Sequence, residues 1–443
     1  MISANRLNTP YPVYPIGLDY VRGALPAHHE VKVLDLAVED SNTALSDAVR
    51  SFEPELVGIA LRNIDNTDAA DSQAFVQDYR SLVRALRALT QAPVVLGGAA
   101  FTIAPRALLD TLGADYGILG EGERLADLIA ALEAGGPVVG PGVVEGANTP
   151  AGVEPLPAPP RRALPETGPQ LEHYLRNGAM LNLQTKRGCP YACIYCTYPH
   201  VEGKQLRLFD PAEVARTARG LQALGAKFLF VTDAVFNADE EHSLAVARAL
   251  EAAGVTIPWG AYFSPRTTPD AYWRSLAQSG LSHVEFGTDS LSDEVLRRYR
   301  KPFDAQTVLT AHRAALGAGL HIAHFFVLGG PGETADTVRR TFEVAEQLER
   351  CVCFFFSGMR IFPGTRLFEL VHEGNAEDFT DVLTPTFYQS DELTSEDLNV
   401  LAVKHAAGRS SWIIGSGGER ISKILSRMYA LGYTGPLWEK LIQ

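Results

Sequence analysis

The chain has 443 residues, 46% of them hydrophobic and 21% charged, and a net charge of −13. That length predicts two domains of ordinary size plus a tail, each with ample core, and the acidic balance argues against nucleic acid as a partner, since phosphate binding draws on clustered Lys and Arg. No run of about 18 apolar residues is present, so no membrane span is expected, and five cysteines, three of them together, do not look like a disulfide framework.

The start, Met1-Ile2-Ser3-Ala4-Asn5-Arg6, lacks the basic region and apolar core of a secretion signal, and a cytoplasmic location is expected. From residue 15 to about 135 short apolar runs alternate with helical patterns. Strands are predicted at 31–36, 56–61, 94–98 and 116–119, with helices over 41–52, 71–90 and 104–112 between them. This is a doubly wound fold of flavodoxin or Rossmann type over 1–136. Ligands of such sheets bind beyond the carboxyl ends of the strands, which singles out the loops 62–67, 97–102 and 120–123, and in them Asn63, Asp65, Asn66, Gly97, Gly98, Gly120 and Glu121. Glycines there let a backbone approach a large flat ligand, and the polar residues supply donors and acceptors.

From Pro137 to Pro165 the chain holds eight prolines, which predicts an extended linker, taken here as 137–175. Strand and helix then alternate again over 176–374. Strands are expected at 180–184, 227–231, 257–262, 283–287, 321–328 and 352–356, with helices over 211–224, 239–253, 270–279, 304–318 and 333–348. Six βα strands make a partial parallel barrel, whose active site lies at the C-terminal ends of its strands. Those ends carry Asp233 and Asn237, Ser264 and Arg266, Asp289 and Ser290, Gly329 and Gly330, and Met359. Beyond 375 the pattern turns to polar loops and two helices, a C-terminal extension that either closes the barrel over a substrate or covers its open edge.

After the first barrel strand comes Lys186-Arg187-Gly188-Cys189-Pro190-Tyr191-Ala192-Cys193-Ile194-Tyr195-Cys196-Thr197. Three thiolates at C-x3-C-x2-C spacing on one loop can turn to one point. A closed structural zinc site wants four N or S ligands, with His200 the nearby fourth, whereas an iron–sulfur cluster held by three thiolates keeps one iron open. Cys351 and Cys353 lie in a hydrophobic run and read as core residues on one face of a strand. His321 and His324 flank the fifth strand and read as core or surface histidines, and a metal site there is not expected, because no carboxylate or cysteine stands at a matching spacing.

C-x3-C-x2-C with Tyr195 before the last cysteine resembles the signature of radical S-adenosylmethionine (SAM) enzymes. The resemblance implies a [4Fe-4S] cluster on Cys189, Cys193 and Cys196 whose open iron is chelated by SAM, and reductive cleavage to a 5′-deoxyadenosyl radical. Gly287-Thr288-Asp289-Ser290, Leu328-Gly329-Gly330-Pro331-Gly332-Glu333 and Pro363-Gly364-Thr365 resemble the family's SAM-contacting segments, with Asp289 in place of the usual Glu. It implies that Tyr195, Asp233, Ser264, Arg266, Asp289, Ser290, Gly329, Gly330 and Met359 face the cofactors. Val94-Val95-Leu96-Gly97-Gly98 and Gly120-Glu121-Gly122-Glu123, with Pro15-Ile16-Gly17-Leu18, resemble the B12-binding domain of one large subfamily. The Asp-x-His-x-x-Gly motif, whose histidine ligates cobalt elsewhere, is absent, as in many members of that class. Cobalamin is therefore expected as a third cofactor.

The function implied is cobalamin-dependent methylation of an unactivated carbon of a small-molecule or lipid-type substrate, with an electron donor such as flavodoxin or ferredoxin. A radical rearrangement, oxidation or carbon–carbon bond formation is the alternative, followed by a non-enzymatic B12- or SAM-sensing module. The family picture predicts that methylation yields one S-adenosylhomocysteine and one 5′-deoxyadenosine per product.

Overall fold

A computed structural model describes the chain except residues 9, 10, 40, 136, 137, 139, 141, 146–152, 157, 373–381, 389, 391, 416 and 443. Part of the expected proline linker, including Pro137, Pro141, Pro150 and Pro157, and the start of the expected C-terminal extension lie outside the described residues.

The first domain is a six-stranded sheet in the order β2-β1-β3-β4-β5-β6. The strands are β1 (Ile2–Ser3), β2 (Leu34–Asp35), β3 (Val57–Ala60), β4 (Val94–Gly97), β5 (Tyr116–Ile118) and β6 (Val143–Glu145). All pairings are parallel except β5 with β6. The four expected strands are present and shorter than their apolar runs. Two were not foreseen: β1 lies between β2 and β3, and β6 extends the edge beyond β5. Each is only two or three residues long, too short to show alternation. The helices Asn42–Phe52, Val76–Leu89 and Pro105–Leu112 stand where the helical spacing put them, and their apolar faces pack with Leu61, Leu96 and Phe101 into one core.

The second sheet has seven parallel strands in the order β17-β14-β13-β12-β11-β10-β7. These are β7 (Met180–Leu183), β10 (Phe228–Val231), β11 (Trp259–Phe263), β12 (Leu281–Asp289), β13 (His321–Leu328), β14 (Cys351–Ser357) and β17 (Trp412–Ile414). Two short antiparallel pairs flank it, β8 (Lys186–Arg187) with β9 (Arg207–Leu208) and β15 (Met359–Arg360) with β16 (Phe387–Tyr388). The six expected strands are all found, and the helices Pro211–Ala223, Glu240–Ala252, Asp270–Gln278, Ala305–Gly317 and Ala335–Ala345 cover their outer face around the largest core.

The seventh strand comes from the C-terminal extension. β17 pairs with β14, Cys353 facing Trp412 and Phe355 facing Ile414, and so covers an edge that would otherwise expose unpaired N–H and C=O groups. The last segment then turns under the barrel. Gly435 N–H donates to Gly178 O, Trp438 Nε1–H donates to Glu285 Oε1 at 2.9 Å, and Glu439 meets His283 at 3.2 Å. Gly178 precedes β7, and His283 and Glu285 lie early in β12, so the tail packs at the amino-terminal ends of the strands. The extension thus covers the sheet edge through β17, while β16 pairs with β15 after the sixth barrel strand. Among the described residues no helix is long and apolar enough to cross a membrane.

Candidate active site between the two domains

Asp233, just after β10, gathers the chain as it leaves β7. Its carboxylate accepts from Thr185 N at 2.7 Å, from the Thr185 hydroxyl, and from Lys186 Nζ at 2.8 Å, and the Lys186–Asp233 pair is sealed from solvent. Gly188 opens the cysteine loop at φ +91°, where an added Cβ would stand 2.1 Å from the Gln205 carbonyl oxygen. Only glycine fits both that backbone and that contact. The loop is then pinned by Cys189 N–H to Gly203 O, Cys196 N–H to Cys193 O and Ile194 N–H to Tyr299 O.

The three cysteines are free thiols, and burial raises the pKa of each, Cys196 to about 12. Among the described residues, donor atoms in sets of three lie within 4.8 Å of one another at His312, His324 and Cys351 and at His28, His29 and Glu133. The loop cysteines form no such set. One zinc ion with bonds of about 2.3 Å to sulfur holds its thiolates about 3.8 Å apart, a spacing that the three loop cysteines do not all share. His200 does not join them; its ring lies against Gly364.

A charged network borders the loop. Asp289, at φ +61°, accepts from Tyr195 OH at 2.5 Å and pairs with Lys301 Nζ at 3.0 Å. Burial opposes the charge on Lys301, but Asp289 and the Cys193 thiol hold its pKa above the ordinary value. Tyr299 OH donates to Glu333 Oε2 and accepts from Gly330 N–H at 2.9 Å, while Gly329 N–H also donates to Glu333. Burial lifts Glu333 to about 7. Its Oε1, the Ser357 hydroxyl and the Tyr191 hydroxyl are buried without a hydrogen-bond partner. Buried polar atoms are almost always paired, so these three groups are open to a bound polar ligand.

The other expected site residues fall into two kinds. Asn237 Nδ2 donates to Ser264 O and its Oδ1 accepts from Ser264 N–H, tying the ends of β10 and β11 together, and Arg266 reaches Asn237 O at 3.3 Å. Ser290 Oγ bonds Thr341 Oγ1 at 3.0 Å, and Met359 packs with Ile194, Val295 and Tyr299. In the first domain Asn66 closes its own loop, bonding Asp71 O, Asp68 N and Gln73 N, and Asn63 O accepts from Tyr79 OH.

Two of the expected loop carboxylates, Asp65 and Glu121, also bind across the domain boundary, as does Glu123. Asp65 pairs with Arg360 at 2.8 Å, and both side chains are buried. Glu121 pairs with Arg187 and Arg207, and Glu123 with Arg187 at 2.6 Å. Gly98, at φ +94°, has no room for a side chain because a Cβ would meet the Leu61 carbonyl oxygen at 2.4 Å. Its glycine is explained by the chain's own packing. Sequence reasoning missed Arg187 and Arg207, whose importance lies in partners far away in the chain, and Glu202, which acts on the cysteine loop. Glu202 accepts from Gly188 N–H at 3.1 Å, and burial raises it to about 7.

The two domains enclose a cavity of about 420 Å³. The first domain lines it with Arg62, Gly97, Gly98, Gly120 and Glu121, and the barrel with Gln184, Arg187, Tyr198, Phe230, Thr232 and Tyr262. The loops at the carboxyl edge of one sheet thus face the carboxyl ends of the other. Arg62 is exposed to it, and no histidine lines it among the described residues.

Comparison with known proteins agrees with both halves. A B12-binding domain model matches residues 2–130 and a radical SAM superfamily model residues 183–345. The tryptophan 2-C-methyltransferase of Streptomyces laurentii is 29% identical, the match covering 82% of this chain and 72% of that one. An uncharacterized methyltransferase of Pyrococcus horikoshii is 26% identical over 95% and 88% of the two chains. Among solved structures, the radical SAM methyltransferase TsrM of Kitasatospora setae with cobalamin and a [4Fe-4S] cluster superposes with a TM-score of 0.86 at 26% identity, covering 99% of this chain and 96% of that one. With a cysteine loop fit for a cluster, a mouth facing the B12-type loops and these relatives, the chain belongs to the radical SAM enzymes that carry an N-terminal B12-binding domain, the cobalamin-dependent radical SAM methyltransferases.

Proposed function

We propose that this enzyme methylates an unactivated carbon of a small molecule with a flat aromatic or apolar part, held in the cavity between the domains. The observation that carries the reading is that shared cavity, because methyl donor and acceptor must meet in one enclosed space. Tyr198, Phe230 and Tyr262 supply flat apolar walls on the barrel side. The tryptophan substrate of the Streptomyces and Kitasatospora relatives is of this kind. When bound, the cluster and SAM supply one-electron cleavage of the sulfonium, and cobalamin supplies a transferable methyl group.

The chain's own residues take the following parts in this proposal. Cys189, Cys193 and Cys196 hold the cluster, with Tyr195, Asp289 and Lys301 fixing the loop beside it. Gly329, Gly330 and Ser290 shape the place for SAM, with Ser264, Arg266 and Met359 around it, and Asp233 positions the cysteine loop through Thr185 and Lys186. The loops 62–67, 97–102 and 120–123 form the cobalamin face. Domain limits of 1–136, 137–175, 176–374 and 375–443 follow from the same reading. An external one-electron donor such as flavodoxin or ferredoxin and a reducing, cytoplasmic setting complete it.

Product stoichiometry tests the reaction. Anaerobically reconstituted enzyme, given SAM, cobalamin, a reductant and a tryptophan-like substrate panel, is expected to give a product heavier by one methyl group and matching S-adenosylhomocysteine. The Cys189→Ala, Cys193→Ala, Cys196→Ala triple variant should lose roughly four irons per chain and all product. Deoxyadenosine without added methyl mass or S-adenosylhomocysteine would establish the radical rearrangement or oxidation instead.

A further inference from the structure

Away from the cavity, three chain segments bring four nitrogen and sulfur donors together in the layer between sheet and helices. His312 lies on helix Ala305–Gly317, His324 on β13, and Cys351 and Cys353 on β14. His312, His324 and Cys351 offer donor atoms within 4.8 Å of one another, and all three are buried. Their register explains the meeting: β13 and β14 pair His324 with Cys353 and Ile322 with Cys351, so Cys351 and Cys353, two residues apart, share one face. The helix following β12 brings His312 down onto that face.

Two separations are those of neighbouring ligands around one ion, with Cys353 beside Cys351 but outside the set of three. His312 Nδ1 lies 3.1 Å from His324 Nε2, and Cys351 Sγ lies 3.8 Å from Cys353 Sγ. Tetrahedral zinc, with bonds of about 2.0–2.1 Å to nitrogen and 2.3 Å to sulfur, spaces nitrogen pairs by about 3.3 Å and sulfur pairs by about 3.8 Å. The outer groups are arranged as such ligands require. His324 uses its other nitrogen, Nδ1, on the Thr288 hydroxyl at 2.7 Å, which fixes the ring and leaves Nε2 facing His312.

We propose that His312, His324, Cys351 and Cys353 form a structural site for a soft divalent ion of the zinc type. It is distinct from the cluster cysteines and ties helix Ala305–Gly317 to β13 and β14. On binding, the two thiols release their protons to solvent, the two imidazoles bind as neutral donors, and no oxidation change occurs. Cys353 completes the set by a side-chain rotation toward the other three.

The test uses the anaerobically reconstituted holoenzyme, whose loop cysteines are already occupied, equilibrated with zinc chloride and then desalted. About one zinc per chain is expected beyond the cluster iron, with a zinc-edge absorption spectrum showing mixed sulfur and nitrogen ligation. Cobalt(II) loading of the same wild-type protein should give tetrahedral ligand-field bands with a sulfur-to-metal charge-transfer band. His312→Gln and Cys351→Ala should lose the zinc while keeping the cluster iron. Retention of no zinc by the holoenzyme, zinc bound through oxygen and nitrogen alone, or equal zinc in wild type and both variants would overturn the site. Should a variant fail to fold, the cobalt spectrum of the wild type decides.

Discussion

At the scale of single residues, the site depends on side chains whose partners neutralise them in a dry setting. Lys301 illustrates this. Its ammonium pairs with Asp289, which also takes the Tyr195 hydroxyl, and Tyr195 stands between Cys193 and Cys196. Lys301 and Asp289 are both buried, so the pair is little screened by water, and removing one partner strands a charge at a cost of roughly 3–5 kcal/mol. Lys301→Met is expected to lower the melting temperature and the iron retained after reconstitution, with Asp289→Asn in the same background restoring part of the stability. Unchanged iron and melting temperature in Lys301→Met would show that the network does not support the cysteine loop.

At the scale of elements, the C-terminal tail is joined to β12 by the Glu439–His283 pair and by a hydrogen bond from Trp438 to the buried Glu285 carboxyl. Burial raises Glu285 from 4.5 to about 7, and the Trp438 indole N–H works the other way. Between those two values the folded chain keeps a proton that the unfolded chain has released. Stability therefore falls as pH rises from about 4.5 through about 7 and levels off above it. Glu285→Gln keeps an acceptor for Trp438 and removes the ionisation. Its melting temperature should match wild type near pH 5 and exceed it near pH 8, by the equivalent of up to about 3 kcal/mol. Equal differences at both pH values would mean that Glu285 does not titrate in this range.

At the scale of the whole molecule, the domains are clamped by buried ion pairs at three places. Arg360 meets Asp65, Arg187 meets Glu121 and Glu123, and Arg162 in the connecting segment meets Asp19. Arg360 also donates to the carbonyls of Ile361, Thr384 and Thr386, so it braces its own domain as well. Arg360→Met leaves the Asp65 carboxylate buried alone. The expected result is separation of one thermal transition into two and a cobalamin affinity weaker by about tenfold, equivalent to about 1.4 kcal/mol of domain closure. A single transition with unchanged cobalamin binding would place the closure energy elsewhere.

The sequence by itself determined the element order, the two-domain division of labour and the cluster loop, because these are local. Apolar runs between helical stretches mark strands of a parallel sheet, and three cysteines within eight residues cannot be far apart in any fold. It also located the loops that line the cavity, since strand ends can be counted. Tertiary structure alone decided which loop carboxylates tie the two domains together. The arginine partners of Asp65 and Glu121 stand 295 and 66 positions away in the chain, and no pattern within a loop reveals them. The same holds for β1, β6 and β17, two or three residues each, which are strands only because a neighbouring edge pairs with them. It holds as well for His312, His324, Cys351 and Cys353, which belong to three different elements and become one set of donors only where the helix crosses the sheet.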